Sequence, residues 1–437
     1  MPSPVTDPQV VPGEPTTGGG APADLKAAIR ATKRDLRARI GDVASVFAEV
    51  EAAMRAEAAE ILATRERGAE VIPVVNFADI AADTVPEEIR AAIHRRGCAV
   101  VRQTFPQELA QRWNTELGDY LEHNRFTENY RGPADSFFGT LSSSRPQIYP
   151  VYWSKPQVQA RQHERMAATR GFLNSLWRNE SNGTTWFDPT RDTAYADRIR
   201  RREPGDSSFG LSPHIDSGSV ERWLLPAYQA VFRHVLDGNW RDYDPWDAAH
   251  RTEVQEYPST QMCGVFRTFQ GWTALSEMQP TDGVLHVVPI ATAAVHLLLR
   301  PLLDDVPEDE LCGAELGRAL PITERWHPAL LPALTPIPPM LPGDTMWWHA
   351  DLIHSVGDVA GMRRWGNVMY IAAAPHCAKN AAYARRQQAA FLRGGSPPDF
   401  AAEDYESDYV DRANVVDLTD IGRQQLGLSP ERMTPNR

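Results

Sequence analysis

The chain has 437 residues and a formal net charge of −12, with 45 lysines and arginines against 57 aspartates and glutamates. By length it could hold two or three domains, although decorated β-barrels of this size often form one, and it can bury a sizeable core. The acidic balance argues against a broad nucleic-acid-binding surface, but it leaves room for a local basic pocket that binds small anions.

The cysteines and the hydropathy pattern narrow the class of protein. Cys98, Cys263, Cys312 and Cys377 are scattered without Cys-x-x-Cys spacing, which is typical of reduced, packed thiols in a cytoplasmic protein and disfavours a structural zinc site. No run of about 18 apolar residues predicts a transmembrane helix, and residues 1–23 lack the features of a secretory signal. We expect a cytoplasmic protein that binds neither nucleic acid nor membrane, with the oligomeric state left open.

The N-terminal part of the chain is predicted to be a disordered segment followed by a helical arm. Residues 1–22 are rich in proline, glycine and threonine, a composition that favours disorder. Apolar residues then recur at helical spacing, and Gly41-Asp42 divides the pattern into two helices, so we place a helical arm at 23–70. Because sustained heptads are missing, we expect the arm to pack on the rest of the chain and not to form a partner-binding coiled coil.

Residues 71–395 are predicted to form the main domain, and residues 396–437 a C-terminal tail. The domain begins with a strand, a helix, a strand and a second helix, at 71–77, 86–96, 98–103 and 107–123. Polar, helix-rich insertions are expected near 158–203 and 224–258, the first covering the mouth of a β-barrel, and a further helix at 379–393.

Four later segments have the composition of β-strands. Residues 263–275 are rich in β-branched and aromatic residues. Residues 281–289 form a turn, a strand and a proline stop, and residues 341–356 contain a Pro-Gly-Asp turn that leads into an apolar strand. A final strand is expected at 365–372.

The pattern most informative about chemistry is His214-Ile215-Asp216 together with the distant His354. Residues two apart on a strand point the same way, so His214 and Asp216 can bind one metal ion, and His354 can join them from another strand. Two imidazoles and one carboxylate occupy one face of an octahedral iron(II) ion and leave the other face open for a co-substrate and O₂. We predict that these three residues are the metal ligands, with no catalytic residue beyond them.

His349 competes with His354 for the position of third ligand. It lies five residues before His354, so on a continuous strand it would point to the opposite face. The Leu-Ile-His-Ser sequence at the strand end favours His354. We expect His349 to lie behind the ligands or at the surface.

The order of these segments resembles that of the iron(II)/2-oxoglutarate-dependent dioxygenases, in particular the phytanoyl-CoA-hydroxylase-like superfamily. The shared order is His-x-Asp, a long strand, a Gly-x-Leu-x-Val-Val-Pro strand, a Gly-Asp turn, a histidine strand and a closing strand. Longer runs resemble the YbiU-like branch of that superfamily, and these lie at 71–80, 96–103, 146–157, 213–223 and 365–370. The resemblance covers most of the chain.

The resemblance implies an α+β fold with a mainly β core, namely a double-stranded β-helix (jelly roll) with flanking helices and the helical N-terminal arm. It also implies an oxidoreductase that uses iron(II), 2-oxoglutarate and O₂, hydroxylates a small molecule and releases succinate and CO₂. Asp216 favours hydroxylation or desaturation over halogenation, because halogenases of this class leave the carboxylate position open for chloride. The alternatives are a non-catalytic metal-binding jelly-roll module and a 2-oxoglutarate-independent metal-dependent oxidase or isomerase.

The co-substrate needs a fixed cation for its distal carboxylate, and the planar guanidinium of arginine suits this task. The resemblance predicts Arg364, ten residues after His354, with Arg363 beside it. Only one of these two neighbours can face inward. Arg267, in the middle of an apolar run, is the reserve candidate, because a buried arginine must be paired.

Contacts to the substrate are predicted for Tyr152, Lys155 and Arg222. Tyr152 and Lys155 belong to an aromatic and basic run ahead of the predicted helical cover, and Arg222 follows Asp216 by six residues. Each could bind an anionic substrate, although aromatic residues at alternate strand positions are more often core. The sequence has no nucleophile elbow, P-loop or dinucleotide fingerprint that would favour another chemistry.

Overall fold

The computed structural model describes residues 20–132, 147–260 and 262–428, which form a mixed α+β structure. The helices are α1 (Leu25–Ile40), α2 (Val43–Glu66), α3 (Phe77–Ala81), α4 (Glu87–Arg96), α5 (Gln107–His123), α6 (Phe126–Asn129), α7 (Lys155–Gln162), α8 (Glu164–Ser175), α9 (Glu221–Leu224), α10 (Pro226–Val231), α11 (Arg233–Leu236), α12 (Ala294–Leu299), α13 (Ala378–Arg393) and α14 (Asp420–Gln425). Within these ranges no helix is long and apolar enough to cross a membrane.

The strands are mostly short. They are β1 (Val74–Asn76), β2 (Cys98–Arg102), β3 (Ile148–Tyr149), β4 (Glu180–Ser181), β5 (Thr184–Thr185), β6 (Asp188–Asp192), β7 (Ile199–Arg200), β8 (Leu211–Ile215), β9 (Phe269–Ala274), β10 (Leu285–Val287), β11 (Leu320–Pro321), β12 (Thr335–Pro336), β13 (Thr345–His349), β14 (His354–Val356), β15 (Val368–Ala373) and β16 (Pro375–His376). Most of the segment predicted to be disordered lies outside the described residues.

Two sheets form the β core. The larger has the strand order β1-β2-β13-β9-β15-β7-β3, and the smaller has the order β11-β8-β14-β10-β12. β1 and β2 are parallel, and the other neighbours in these two sheets are antiparallel. Strands far apart in sequence therefore lie side by side, which allows residues from distant segments to meet in one site.

The facing sides of the two sheets share an apolar cluster. Trp272 of β9 and Met346 and Trp348 of β13 pack in it with Leu285 and Val287 of β10. Because side chains alternate along a strand, the residues between these face away from the interior. Every second residue along each strand therefore lines the space between the sheets.

Helices cover the outer face of the larger sheet. Phe269, Trp347 and Ile371 belong to a second cluster that includes Trp113 of α5 and Leu173 of α8. The sequence pattern predicted a helix at 107–123, and α5 has these bounds. Its buried residues lie at helical spacing on one face, and they are Ala110, Trp113, Leu117, Tyr120 and Leu121.

The two helices predicted near the N-terminus are confirmed as α1 and α2. Gly41, with φ of +79°, ends α1, and the Asp42 side chain accepts a hydrogen bond from the backbone N–H of Ser45 to start α2. Val50 of α2 is fully buried in one cluster with Leu298 of α12. The helices are therefore packed on the rest of the protein, as the missing heptads predicted.

The prediction of a largely helical segment at 158–203 is only half right. Helices α7 and α8 end at Ser175, and the short strands β4 to β7 follow. β7 joins the larger sheet between β15 and β3. The buried Ile199 lies between Arg198 and Arg200, as in a strand whose side chains alternate between two faces. The polar composition of the segment concealed this strand pattern.

Candidate metal centre

His214, Asp216 and His354 meet where β8 ends and β14 begins. His214 and His354 are register partners, and their ring centroids are 4.3 Å apart. Nε2 of His214 lies 3.2 Å from Oδ1 of Asp216, and Nε2 of His354 lies 3.3 Å from Oδ2. Ligands at right angles on a metal about 2.1 Å away would be about 3 Å apart. The three side chains could therefore hold one metal ion.

Backbone carbonyl groups orient both imidazoles in the same way. Nδ1 of His214 is 2.7 Å from the carbonyl oxygen of Ser212, and Nδ1 of His354 is 3.1 Å from that of Leu352. An imidazole that donates Nδ1–H to a carbonyl presents the lone pair of Nε2 on its other side. In both histidines the Nε2 side of the ring faces Asp216. A metal ligand requires this tautomer and this orientation.

Burial and charge favour the metal-binding protonation states. Burial raises the pKa of Asp216, but the imidazoles of His354 and His214 lower it more, so that the pKa lies well below its ordinary value. Burial lowers the pKa of His354. A carboxylate and a neutral imidazole are the forms that bind a metal ion, and both are favoured here at neutral pH.

The burial of the three side chains differs. The side chains of His214 and His354 are 6% and 7% exposed, whereas that of Asp216 is 25% exposed. Ile215, between His214 and Asp216, is fully buried on the opposite side of β8. The centre is therefore accessible from the Asp216 side, where further ligands could approach.

His349 lies away from this group. Its ring stacks on Trp177 with 4.6 Å between centroids, Nε2 is 3.0 Å from the carbonyl oxygen of Pro245, and Nδ1 accepts the backbone N–H of Asp351. It is fully buried, so it is not at the surface, and its contacts are with Trp177, Pro245 and Asp351 and not with the three predicted ligands.

The two arginines predicted as co-substrate anchors have different surroundings. The side chain of Arg364 is 40% exposed and forms ion pairs with Glu277, at 2.7 Å, and with Asp282, at 3.4 Å. Arg267 is 7% exposed, and its Nε and Nη2 atoms have no hydrogen-bond acceptor within the described part of the chain. Neither role is tested by these positions, and both stay predictions.

The residues predicted to contact the substrate have different surroundings. Tyr152 is buried against Phe400, and Lys155 is 43% exposed, with Asp411 3.9 Å from its Nζ. Arg222 is buried and pairs with Asp351 at 2.8 Å. The structure therefore does not bring Tyr152, Lys155 and Arg222 into one group around the triad, and their roles also stay predictions.

Sequence reasoning missed two buried arginines beside β15. Arg200 is 5% exposed and Arg202 is 1% exposed, and the Nε atom of each lacks an acceptor in the ranges that the structure describes. Burial lowers the pKa of both, and the positive charge of Arg200 lowers that of Arg202 further. The alternation Arg198-Ile-Arg200-Arg-Arg202 is typical of a strand, whereas the polar composition of the segment predicted a helix.

Comparison with known proteins places the chain in a family. The sequence pattern of the Gig2-like family matches residues 23–428. The Escherichia coli K12 protein YbiU is 56% identical over 414 residues, which are 94% of this chain and 98% of that protein.

Two solved structures show the same architecture. A Salmonella typhimurium LT2 protein, provisionally called an oxidoreductase, is 55% identical with a TM-score of 0.91, covering 94% of this chain and 99% of that one. The product of GlcNAc inducible gene 2 of Candida albicans is 26% identical with a TM-score of 0.77, covering 94% and 92%. The chain belongs to the Gig2-like family.

Proposed function

We propose that this Gig2-like protein is an iron(II)- and 2-oxoglutarate-dependent oxygenase that hydroxylates a small molecule. The observation in support is the arrangement of His214, Asp216 and His354, with both Nε2 atoms facing the carboxylate. This set of donors is the one that non-haem iron(II) oxygenases use. When bound, iron would supply the activation of O₂, while the protein binds and orients the substrate and excludes water.

The strand order supports a jelly-roll core. When β7, β8, β9, β10, β12, β13, β14 and β15 are counted as strands one to eight, the larger sheet contains the order 1-8-3-6 and the smaller sheet 2-7-4-5. Two interlocked Greek keys produce this order. We propose that residues 71–395 form a double-stranded β-helix domain, with residues 23–70 as a packed helical arm and residues 396–437 as a C-terminal tail.

The direction of the strands distinguishes two ends of the barrel. At the metal end, Gln270 of β9 pairs with Trp348 of β13, and the Trp348 ring lies 5.3 Å from that of His354. At the other end, Val368 begins β15 and pairs with Arg200. Val368 faces the interior, and its register partner therefore does so as well. A ligand that binds the metal and extends along the interior would approach Arg200.

We place the distal carboxylate of 2-oxoglutarate beside Arg200 and Arg202. Among the described residues, neither arginine forms an ion pair with a carboxylate, and burying like charges together is unfavourable. Tyr370 lies two residues after Val368 on β15 and therefore faces the same side as Arg200. Burial raises the pKa of Tyr370, and the positive charge of Arg200 lowers it. An incoming carboxylate would neutralise the arginines, and Tyr370 could donate a hydrogen bond to it.

Arg364 is the weaker candidate for the same role. Its guanidinium is partly exposed and already paired with Glu277 and Asp282. Binding of 2-oxoglutarate would have to replace these interactions, and an exposed charge pair contributes little binding energy. Arg200 is buried and has no carboxylate partner within the described ranges, so it offers a stronger interaction to a desolvated carboxylate.

The alternatives differ in what they require of this interior. A non-catalytic metal-binding module needs the triad alone, and an oxidase without 2-oxoglutarate needs no cation along the barrel. The two buried arginines without an acidic partner in the described chain favour use of an anionic co-substrate. The presence of Asp216 favours hydroxylation or desaturation over halogenation.

Succinate formation tests the proposal. The iron(II)-loaded protein is incubated in air with ascorbate, 2-oxoglutarate and a panel of metabolites. We expect succinate from the wild type and from His286→Ala, a histidine between the interior residues Leu285 and Val287 that faces outward. We expect none from His354→Ala. Tight iron binding without succinate would favour the non-catalytic module, and substrate oxidation without 2-oxoglutarate would favour the oxidase.

A further inference from the structure

Arg267 lies at the metal end of the barrel. It precedes Thr268, whose backbone N–H donates to the carbonyl oxygen of Ala373 at the end of β15. The guanidinium of Arg267 lies over the ring of Tyr195, with Cζ 5.8 Å from the ring centroid, and this contact helps to fix its position. Arg200 pairs with Val368 at the start of β15. Arg267 and Arg200 are therefore separated by most of the length of β15.

One complete edge of the Arg267 guanidinium lacks an acceptor. Nε and Nη2 have no hydrogen-bond partner among the residues that the structure describes, although Arg267 is only 7% exposed. These two atoms point their N–H groups in parallel, which is the geometry that binds both oxygens of a carboxylate. Arg202 differs, because its Nη2 donates to the carbonyl oxygens of Asp282 and Gly283.

The charge of Arg267 is close enough to the triad to interact with it. Burial lowers the pKa of Arg267, whereas Cys263, Tyr195 and Asp216 raise it, with a net rise. Asp216 is a proposed metal ligand. Since Thr268 adjoins the end of β15, an anion held on the free edge of Arg267 would lie at the metal end of the barrel.

Two further buried N–H donors surround the same end of the interior. Nε2 of Gln270 and Nε1 of Trp348 lack acceptors in the described ranges, and both side chains are at most 5% exposed. Gln270 and Trp348 are register partners, and the Trp348 ring is near His354. Buried donors are almost always satisfied in proteins, so a group of three without acceptors indicates a ligand rich in oxygen acceptors.

We propose that the molecule oxidised at this centre is an organic acid whose carboxylate binds the free edge of Arg267. This inference rests on the proposed oxygenase function and names its substrate class. Gln270 and Trp348 donate to the same carboxylate or to a second oxygen beside it. The carboxylate fixes the acid so that one of its C–H bonds lies beside the accessible face of the metal, and an uncharged analogue loses this anchor.

The test compares acids with their amides. The full chain is loaded with iron(II) under anaerobic conditions, and 2-oxoglutarate binding is followed by the visible charge-transfer absorption of the iron complex. Acetate, hexanoate and phenylacetate, and the carboxamide of each, are then titrated by calorimetry with and without 2-oxoglutarate. The proteins are the wild type, Arg267→Ala, Arg267→Lys, Arg200→Ala and, as a control, Arg112→Ala, whose side chain on α5 is 63% exposed.

We expect the wild type to bind at least one acid about ten-fold or more tightly than its amide, since a hydrogen-bonded charge contributes roughly this factor. Arg267→Ala should lose the preference, Arg267→Lys should keep part of it, and Arg112→Ala should keep all of it. The affinity of Arg267→Ala for 2-oxoglutarate should stay within about two-fold of the wild type.

Three results would overturn the inference: no acid preference in the wild type, a preference that survives Arg267→Ala, or a loss of 2-oxoglutarate affinity in Arg267→Ala but not in Arg200→Ala. The last result would make Arg267 the co-substrate anchor. A wild type without the charge-transfer absorption would contradict the oxygenase proposal instead, while calorimetry without 2-oxoglutarate would still decide whether acids bind Arg267.

A stability measurement separates a binding arginine from a structural one. Arg267→Met keeps an apolar stem and removes an unpaired buried charge, so the unfolding temperature of the ligand-free protein should stay unchanged or rise. A fall of many degrees would identify a structural arginine and would also overturn the inference.

Discussion

The guanidinium of Arg202 lies against Gly366: a Cβ atom on that glycine would be 3.4 Å from Nε and 3.5 Å from Nη2. The segment before β15 thus leaves room for an arginine that comes from the end of β7. The resemblance to dioxygenases predicted an arginine from the segment after His354 itself. At this end of the barrel the buried cation comes from another strand, while Arg364 lies partly exposed.

Iron binding should depend on the triad and not on other histidines. We expect His354→Ala to bind much less than one iron per chain, because it removes one of three ligands, and His286→Ala to bind as the wild type does. Metal analysis after anaerobic loading and desalting measures the stoichiometry, and circular dichroism checks the fold. Full stoichiometry in His354→Ala would contradict the assignment of His354 as a ligand.

Two glycines should respond in opposite ways to alanine. On β9 a Cβ atom at Gly271 would lie 2.4 Å from the carbonyl oxygen of Met346 and 2.8 Å from the Trp347 ring, whereas nothing lies within 4 Å of such an atom at Gly171 in α8. Gly271→Ala should destabilise the protein by about 1–3 kcal/mol, and Gly171→Ala should stabilise it by roughly 0.5–1 kcal/mol. Denaturant unfolding measures both, and equal effects would contradict the packing of β9 against β13.

The triad could be predicted from the sequence because its spacing has a local cause. His214 and Asp216 are two apart on one strand, and His354 begins another strand with its own turn and apolar pattern. The helices α1, α2 and α5 could be predicted for a similar reason, since apolar periodicity and capping residues are local features.

The interior polar residues could not be assigned in the same way. Which arginine faces the interior depends on strand register, and a shift of one residue exchanges the two faces. β7 has only two residues in its ladder, and the polar composition around it predicted a helix, so the sequence did not indicate Arg200 and Arg202 as interior residues. Gln270 was likewise hidden in an apolar run, because its lack of an acceptor depends on the packing of three strands.

Asp351 should be important for stability. Its carboxylate accepts from Arg222 at 2.8 Å and from Arg251 at 2.7 Å, and all three side chains are buried. Asp351→Ala leaves two buried guanidinium groups without their partner, so we expect a loss of about 3–5 kcal/mol. Glu277→Ala, which breaks the exposed pair with Arg364, should cost less than about 1 kcal/mol. Similar losses in chemical denaturation would contradict this difference.

Glu406 should make stability fall as the pH rises. Burial raises its pKa to about 7, while the carboxylate accepts from the Tyr120 hydroxyl and the backbone N–H of Trp153. Between the unfolded pKa near 4.3 and the folded pKa, the folded state binds more protons than the unfolded state, so stability falls with rising pH in this window. The stability that protonated Glu406 contributes is fully present below the unfolded pKa, and it is lost as the pH rises through the folded pKa.

The comparison with Glu406→Gln isolates this contribution. The variant has no titratable group at this position, and other buried carboxylates such as Asp192 are common to both proteins. Relative to the variant, the wild type should lose up to about 3 kcal/mol of unfolding free energy between about pH 5 and pH 8. Parallel stability curves over this range would contradict the raised pKa.

The last prediction concerns the anchor for 2-oxoglutarate. Arg200→Ala should weaken 2-oxoglutarate binding by about 2–5 kcal/mol, or roughly thirty- to several-thousand-fold, because a desolvated carboxylate loses its charge partner. Arg200→Lys should also bind less tightly, since an ammonium group cannot form two parallel hydrogen bonds. Arg202→Ala should have a similar effect if both guanidinium groups share the carboxylate.

Arg364→Ala and Arg363→Ala are the matched comparisons, measured by the same anaerobic titration with iron bound. We expect both to retain wild-type affinity, because the Arg364 guanidinium is partly exposed and paired with Glu277 and Asp282. If Arg364→Ala alone loses affinity, the resemblance to dioxygenases predicted the anchor correctly and Arg200 is structural. If no arginine variant changes the affinity, 2-oxoglutarate does not bind along the barrel, and the oxidase or the non-catalytic module becomes the better account of the triad.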